Sequence, residues 1–162
     1  MKRIALFILI LLFLLSPTTF AQGETTYKVG GYFTVAFPAD LEVYNHTPES
    51  EIWAGTILKM PIIRINTLPI QQQSLDDLMS TIQIFTLKDP HAKIEDSGSL
   101  YLDNRDARWI LILPDNVDLY YLMYFAYSDK YRYDIFFTGE YHNLATDRKT
   151  IDTILASIKI LK

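Results

Sequence analysis

Runs of β-branched, aromatic and aliphatic residues, bounded by glycine, proline and asparagine turns, fill most of the chain after its first 21 residues. Such runs are typical of strands. Two segments instead repeat apolar residues every three or four positions, which predicts amphipathic helices. The predicted strands are Tyr27–Val29, Tyr32–Phe37, Leu41–Tyr44, Ile52–Leu58, Ile62–Leu68, Lys93–Leu102, Ala107–Leu113, Leu119–Tyr127 and Tyr131–Phe137, and the predicted helices run from Ser74 to Asp89 and from Thr146 to Ile158.

The first predicted helix has both a start signal and one apolar stripe. Ser74 followed three residues later by Asp77 is a variant of the capping box, in which each side chain bonds the other's backbone N–H. Asp89-Pro90 ends the segment. The residues expected to face a core are Leu75, Leu78, Met79, Ile82 and Phe85 in this helix and Ile151, Ile154, Leu155 and Ile158 in the second.

Two of the predicted strands, Ala107–Leu113 and Leu119–Tyr127, carry apolar or aromatic residues on both faces. In a sheet with one solvent-exposed face, apolar and polar residues would alternate along each strand. These two strands are therefore expected to lie in the middle of the sheet and to be covered on both faces. Each of the two predicted helices can cover one face of the sheet. The connections between strands are too short to contain crossover helices, which favours antiparallel pairing. The sequence therefore predicts an α+β fold in which a mostly antiparallel sheet is sandwiched between two helices.

The first 21 residues read as a secretory signal peptide. A basic start is followed by an apolar run, Ile4–Leu15, and small residues precede a cleavage site after Ala21. An uncleaved membrane anchor is the alternative, but the run is shorter than the ~20 apolar residues that a spanning helix needs. We expect residues 22–162 to form one soluble domain, exported to the periplasm or the cell exterior of a bacterium.

Charge and cysteine content exclude several classes of function. The whole chain has 15 basic and 19 acidic residues, and loss of Lys2 and Arg3 would leave 13 against 19, a net charge of −6. This balance argues against nucleic acid or anionic lipid as the main partner. The absence of cysteine excludes disulfides, thiolate metal sites and cysteine catalysis.

No catalytic, metal or cofactor motif stands out. The histidines, His46, His91 and His142, lack a second ligand at metal spacing and are interpreted as surface residues. Asp96–Ser99 is interpreted as a bulge or bend inside a strand, with Gly98 relaxing the backbone, rather than as a nucleophile motif. We therefore expect no enzyme activity, with a hydrolase of unrecognised site as the remaining alternative.

Tyrosine is concentrated in one stretch near the end of the chain. Two adjacent strands could use these rings to fill the layers between sheet and helices. Alternatively the rings could form an exposed patch that binds a partner, a peptide or an apolar ligand. The six residues of this possible binding patch are Tyr120, Tyr121, Tyr124, Tyr127, Tyr131 and Tyr133.

The order of elements from Tyr27 to Ile160 resembles the PsbP-like superfamily of exported domains, which includes the DcrB-like bacterial proteins. The segments that carry the resemblance are the opening strand Tyr32–Pro38, the helix start Ser74–Leu78, the turn Leu102–Arg108 and the closing helix Ile151–Ile158. The resemblance implies an antiparallel sheet between helices. This chain lacks the lipoprotein cysteine of DcrB-like members.

The resemblance also implies a function. Most PsbP-like proteins are non-enzymatic accessory or interaction proteins, so we expect an exported accessory domain of the bacterial cell envelope, a monomer or weak oligomer that binds an unknown envelope protein. The alternative is a carrier that holds a small apolar ligand between sheet and helix, which requires a pocket of roughly 300 Å3 or more.

Overall fold

The computed structural model describes residues 23–47, 50–56, 59–70 and 73–161, so the expected signal peptide lies outside the described residues. The strands are β1 (Glu24–Val29), β2 (Phe33–Pro38), β3 (Glu42–Thr47), β4 (Glu51–Thr56), β5 (Lys59–Pro69), β6 (Ala92–Leu102), β7 (Arg105–Pro114), β8 (Tyr120–Tyr127), β9 (Tyr131–Gly139) and β10 (Lys159–Ile160). The helices are α1 (Leu75–Lys88) and α2 (Leu144–Ser157), and a 3-10 turn at Tyr141–Asn143 precedes α2.

Within the described ranges these strands form two antiparallel sheets. The large sheet has seven strands in the order β3-β4-β5-β9-β8-β7-β6, and the small sheet has three in the order β1-β2-β10. The predicted α+β class, with a mostly antiparallel sheet between two helices, is confirmed. The small sheet was not predicted as a separate layer, because its third strand, β10, is only two residues long.

The inner face of the large sheet is covered by α2 together with the small sheet. Fully buried side chains from both sheets and from α2 meet there, including Phe33, Leu122, Phe137 and Ile151. Ser157 at the end of α2 ties the helix to β2, since its Oγ accepts a hydrogen bond from the backbone N–H of Ala36 at 2.9 Å. This layer is the main core.

The outer face is covered by α1 over β6, β7 and β8. Leu78 and Met79 of α1 pack with Ile110, Ile112 and Phe125 in a second, smaller core. The prediction that β7 and β8 are covered on both sides is therefore confirmed. No helix of the described residues is long and apolar enough to cross a membrane.

The start of α1 is as predicted, and its predicted apolar stripe packs in the second core at Leu75, Leu78, Met79 and Ile82 but not at Phe85. Ser74 and Asp77 form the capping box, with the Asp77 N–H donating to Ser74 Oγ at 3.0 Å. Phe85, expected in the core, is 66% exposed, and Thr86 is buried instead. Thr86 tolerates burial because its hydroxyl donates to the Ile82 carbonyl at 2.9 Å, so the buried polar group is satisfied.

The helix covers only part of the outer face. On β4, β5 and β9 the outward side chains are a mixture of apolar and polar types, whereas their inward neighbours, such as Ile52, Ile63 and Ile135, are buried. We call this part of the outer face, on β4, β5 and β9, the open half.

Candidate functional site

A pocket of about 310 Å3 lies on the open half. The strand register places Trp53, Arg64 and Phe136 in one row across β4, β5 and β9, and Ile62 and Thr138 side by side in the next row. These five residues line the pocket, which we call the outer pocket. Its wall is mostly apolar or aromatic, with one guanidinium.

Arg64 is held in place by several contacts at once. Its guanidinium carbon lies 4.8 Å from the centroid of the Trp53 ring, within cation–π range. Its Nε donates to Glu51 Oε1 at 2.6 Å and to Asn66 Oδ1 at 3.1 Å. The position of the side chain is therefore fixed before any ligand arrives, and its charge is balanced by Glu51.

A second charged pair lies beside the pocket on β9. Arg132 binds Asp134 through two contacts, Nη2 to Oδ2 at 2.9 Å and Nε to Oδ1 at 2.8 Å. Asp134 is buried, and this burial raises the pKa of its carboxyl, while the hydrogen bond from Arg132 opposes the rise. The pair is one of few charged groups removed from solvent in the described chain, so loss of either partner would leave the other buried and unpaired.

Large apolar side chains are also exposed at one end of the large sheet. Ile84, Phe85 and Leu87 in the last turns of α1 are 52%, 66% and 76% exposed, and Val117 in the β7–β8 turn is 52% exposed. The turn and the helix end adjoin, because the Asp115 N–H donates to the His91 carbonyl at 2.6 Å. We call Ile84, Phe85, Leu87 and Val117 the apolar end.

Next to the apolar end, a histidine pairs with a carboxylate. His142 Nδ1 is bonded to Asp118 Oδ2, and its Nε2 lies 3.6 Å from Glu140 Oε2. The bond to Asp118 raises the pKa of His142, and the same bond lowers the pKa of Asp118. Both side chains are more than half exposed, so the pair lies on the surface rather than in a cleft.

We expect Asp118→Asn to lower the pKa of His142 toward its ordinary value, because the main group favouring the imidazolium is lost. In the wild type the folded pKa is raised, so the stabilising contribution is fully present below the ordinary histidine pKa of about 6.5 and is lost as pH rises through the raised value. Ring-proton NMR shifts of His142 against pH measure this change. Asp115→Asn, in the same turn, is the control and should leave His142 unchanged; an unaffected His142 in Asp118→Asn would contradict the assignment.

The other histidines make no comparable site. The side chain of His46 lies outside the described residues, and His91 is exposed beside the end of α1. Among the residues that the structure describes, no three histidine or acidic side chains are grouped in a way that could hold a metal ion.

The six tyrosines singled out in the sequence do not share one surface. Three of them, Tyr120, Tyr124 and Tyr133, are buried in the main core, and the Tyr120 hydroxyl donates to Asp147 Oδ2 at 3.0 Å. The other three are Tyr131, which packs against Tyr32, and Tyr121 and Tyr127 on the outer face. The six rings are therefore divided between two faces of the sheet, because alternate residues of β8 point to opposite faces. A binding role for Tyr121, which neighbours Thr138, stays a prediction.

Sequence reasoning did not single out the residues of the outer pocket. The signal was present in the predicted strand Ile62–Leu68, where Arg64 and Asn66 alternate with Ile63 and Ile65. Such alternation indicates one buried and one wet face. It marks the part of the sheet that α1 leaves uncovered.

Comparison with known proteins finds similarity in structure rather than in sequence. No protein-family model matches the chain, and no curated protein sequence matches it. The fold is similar to that of CyanoP, the cyanobacterial PsbP of Synechocystis sp. PCC 6803, with a TM-score of 0.63 and 13% identity over 90% of this chain and 96% of that one.

Two further solved structures are similar. LpqN, a protein involved in cell envelope biogenesis of Mycobacterium tuberculosis, has a TM-score of 0.63 and 9% identity over 86% of this chain and 91% of its own. A Bacteroides thetaiotaomicron protein has a TM-score of 0.59 and 12% identity over 87% of this chain and 49% of its own. The order of elements, the two helix layers and these structural similarities together show that the chain has the PsbP-like fold.

Proposed function

We propose that this protein is a non-enzymatic, exported accessory domain of the bacterial cell envelope that binds a partner protein through the apolar end. The signal-peptide pattern supports export, and the fold is one that CyanoP and LpqN share. The observation that carries the proposal is the apolar end itself, where large side chains are left in water on adjoining elements.

Contact between the large apolar side chains of the apolar end and water is unfavourable, and burial of these side chains against a partner would remove that contact. Full burial of a Leu, Ile or Phe side chain is favourable by about 1.5–3 kcal/mol relative to exposure. Phe85 and Leu87 are each more than half exposed in the free chain, so both are suited to anchor an interface. Single exposed apolar residues are normal on a protein surface, but a group on adjoining elements is typical of interaction sites.

The charges around the apolar end indicate which partner fits. Carboxylates outnumber ammonium groups there, so a second copy of the chain or an anionic lipid surface would be repelled. A protein surface with an apolar centre and basic flanks is complementary. The flanking groups are Asp89, Asp115, Asp118 and Glu140, against Lys88, Lys93 and His142. Lys93 is already paired with Glu95, and His142 with Asp118.

Site-specific photo-crosslinking in the native host tests this function. A benzophenone side chain at Leu87 should form an adduct with one protein, and the same group at Tyr101 should not, because Tyr101 is equally exposed but lies at the opposite end of β6. Adding Ile84→Ser, one turn before Leu87 on the same side of α1, should abolish the adduct at position 87. Adducts with lipid or with a second copy of the chain, or none at all from the folded protein, would overturn the proposal.

A second candidate, a carrier of a small apolar ligand, is favoured by one observation. The outer pocket, at about 310 Å3, reaches the lower end of the range for small-molecule sites. It lies on the open half rather than between sheet and helix, where a carrier site was expected.

A further inference from the structure

The outer pocket combines an aromatic wall with a stacked cation. Arg64 lies over Trp53, and both side chains line the pocket, so a molecule bound there would contact the guanidinium as well as the indole. Across the row, Phe136 makes an edge-to-face contact with Phe125 at a centroid distance of 6.1 Å and an interplanar angle of 89°. Arg64 and the Phe136 ring are thus each held by contacts with neighbouring side chains.

The charge balance argues against an anion as the ligand. Glu51 neutralises Arg64 through its Nε, and Asp134 likewise neutralises Arg132 next to the pocket. The charge of Glu51 therefore weakens the attraction of Arg64 for an added carboxylate. A neutral π-system is not repelled by Glu51, because it carries no charge and interacts with the face of the guanidinium rather than with its N–H groups.

Volume limits the size of the ligand. A pocket of about 310 Å3 has room for one or two fused rings but not for a long acyl chain. Its apolar lining by Trp53, Ile62 and Phe136 favours a mostly apolar molecule, and the Thr138 hydroxyl offers one polar contact at the edge.

We propose that the outer pocket binds a small, neutral aromatic molecule of one or two rings, stacked on Arg64 and packed against Phe136. Arg64 is then the residue that distinguishes an aromatic ligand from an aliphatic one of the same shape. The site is separate from the apolar end and does not depend on a protein partner, so the two proposals fail or hold independently.

Binding of 2-naphthol compared with its saturated analogue, decahydro-2-naphthol, tests the ligand class. Both have the same carbon skeleton and hydroxyl, but only the first has a π-face. We expect saturable binding of 2-naphthol, followed by NMR shifts of the Trp53 indole N–H and the Arg64 Nε–H, with about two- to fivefold weaker binding of the saturated probe.

The matched variants are Arg64→Leu and Arg108→Leu. Arg64→Leu should remove the preference for the aromatic probe while leaving the affinity for the saturated probe within about twofold. Arg108, on the same outer face but paired with Asp76 of α1, is the control and should leave both affinities unchanged. Circular dichroism checks that each variant is folded. No saturable binding, equal affinity for both probes, or an equal loss of both in Arg64→Leu would each overturn the proposal.

Discussion

Phe137→Ala is expected to lower the free energy of unfolding by about 3–5 kcal/mol, the usual cost of removing a fully buried ring. Phe137 is completely buried in the main core, where its ring meets Tyr124 edge to face at 5.9 Å. Its neighbours on β5 and β8, Ile63 and Leu122, are also fully buried, so little solvent or side-chain movement can fill the space. Urea unfolding followed by circular dichroism measures the loss.

The same substitution at Phe85 is the control. That ring is mostly exposed, and Lys88 Nζ lies 5.9 Å from its centroid, so Phe85→Ala should cost no more than about 1 kcal/mol. A similar loss in both variants would contradict the assignment of Phe85 to the surface. A stable Phe85→Ala protein would also show that variants of the apolar end can be interpreted as binding variants.

Local signals in the sequence were enough to predict most of the elements. The Ser74–Asp77 capping box fixes the start of α1, and the apolar character of both faces of β7 and β8 correctly indicates cover on both sides. These features depend on residues close together in the chain. Their physical basis is therefore readable without knowledge of the fold.

Features that depend on distant contacts were missed or misread. Gly98 was interpreted as part of a bulge or bend, but the irregularity of β6 lies between Ile94 and Asp96. Gly98 instead makes room for Trp109, since a Cβ there would lie 2.8 Å from the indole nitrogen. The cross-strand neighbour that requires the glycine is 11 positions away, and no local pattern reveals it.

The candidate site was less predictable than the fold for the same reason. A cluster of tyrosines in sequence became two groups on opposite faces, because strand geometry separates neighbours. The outer pocket, in contrast, joins β4 and β5 to β9, which lies far along the chain from both. Only the strand order brings Trp53, Arg64 and Phe136 into one row.

Arg132→Met is expected to cost about 3–5 kcal/mol at neutral pH, because it leaves the Asp134 carboxylate buried without its cation. Asp134 lies between Phe125 on β8 and Asn66 on β5, where little water reaches it. Its pKa is already raised by burial, and loss of Arg132 removes the main group that opposes the rise. The folded pKa should therefore increase further in the variant.

This shift sets the pH dependence of the loss. A raised carboxyl pKa means that the folded state binds the proton more tightly than the unfolded state, so stability falls as pH rises from the ordinary value of about 3.9 through the folded pKa. The penalty in Arg132→Met should thus shrink as pH is lowered from 8 toward 4.5. Urea unfolding across this range, with the carboxyl carbon of Asp134 followed by NMR, measures both quantities.

Two further variants separate loss of the ion pair from general damage. The double variant Arg132→Met/Asp134→Leu should recover most of the stability, since an apolar pair removes the unpaired charge. Arg108→Met breaks a pair with Asp76 whose carboxylate is largely exposed, and should cost no more than about 1 kcal/mol. If Arg132→Met costs no more than Arg108→Met, or the double variant is no better than the single one, then the loss in Arg132→Met does not come from an unpaired, buried Asp134 carboxylate.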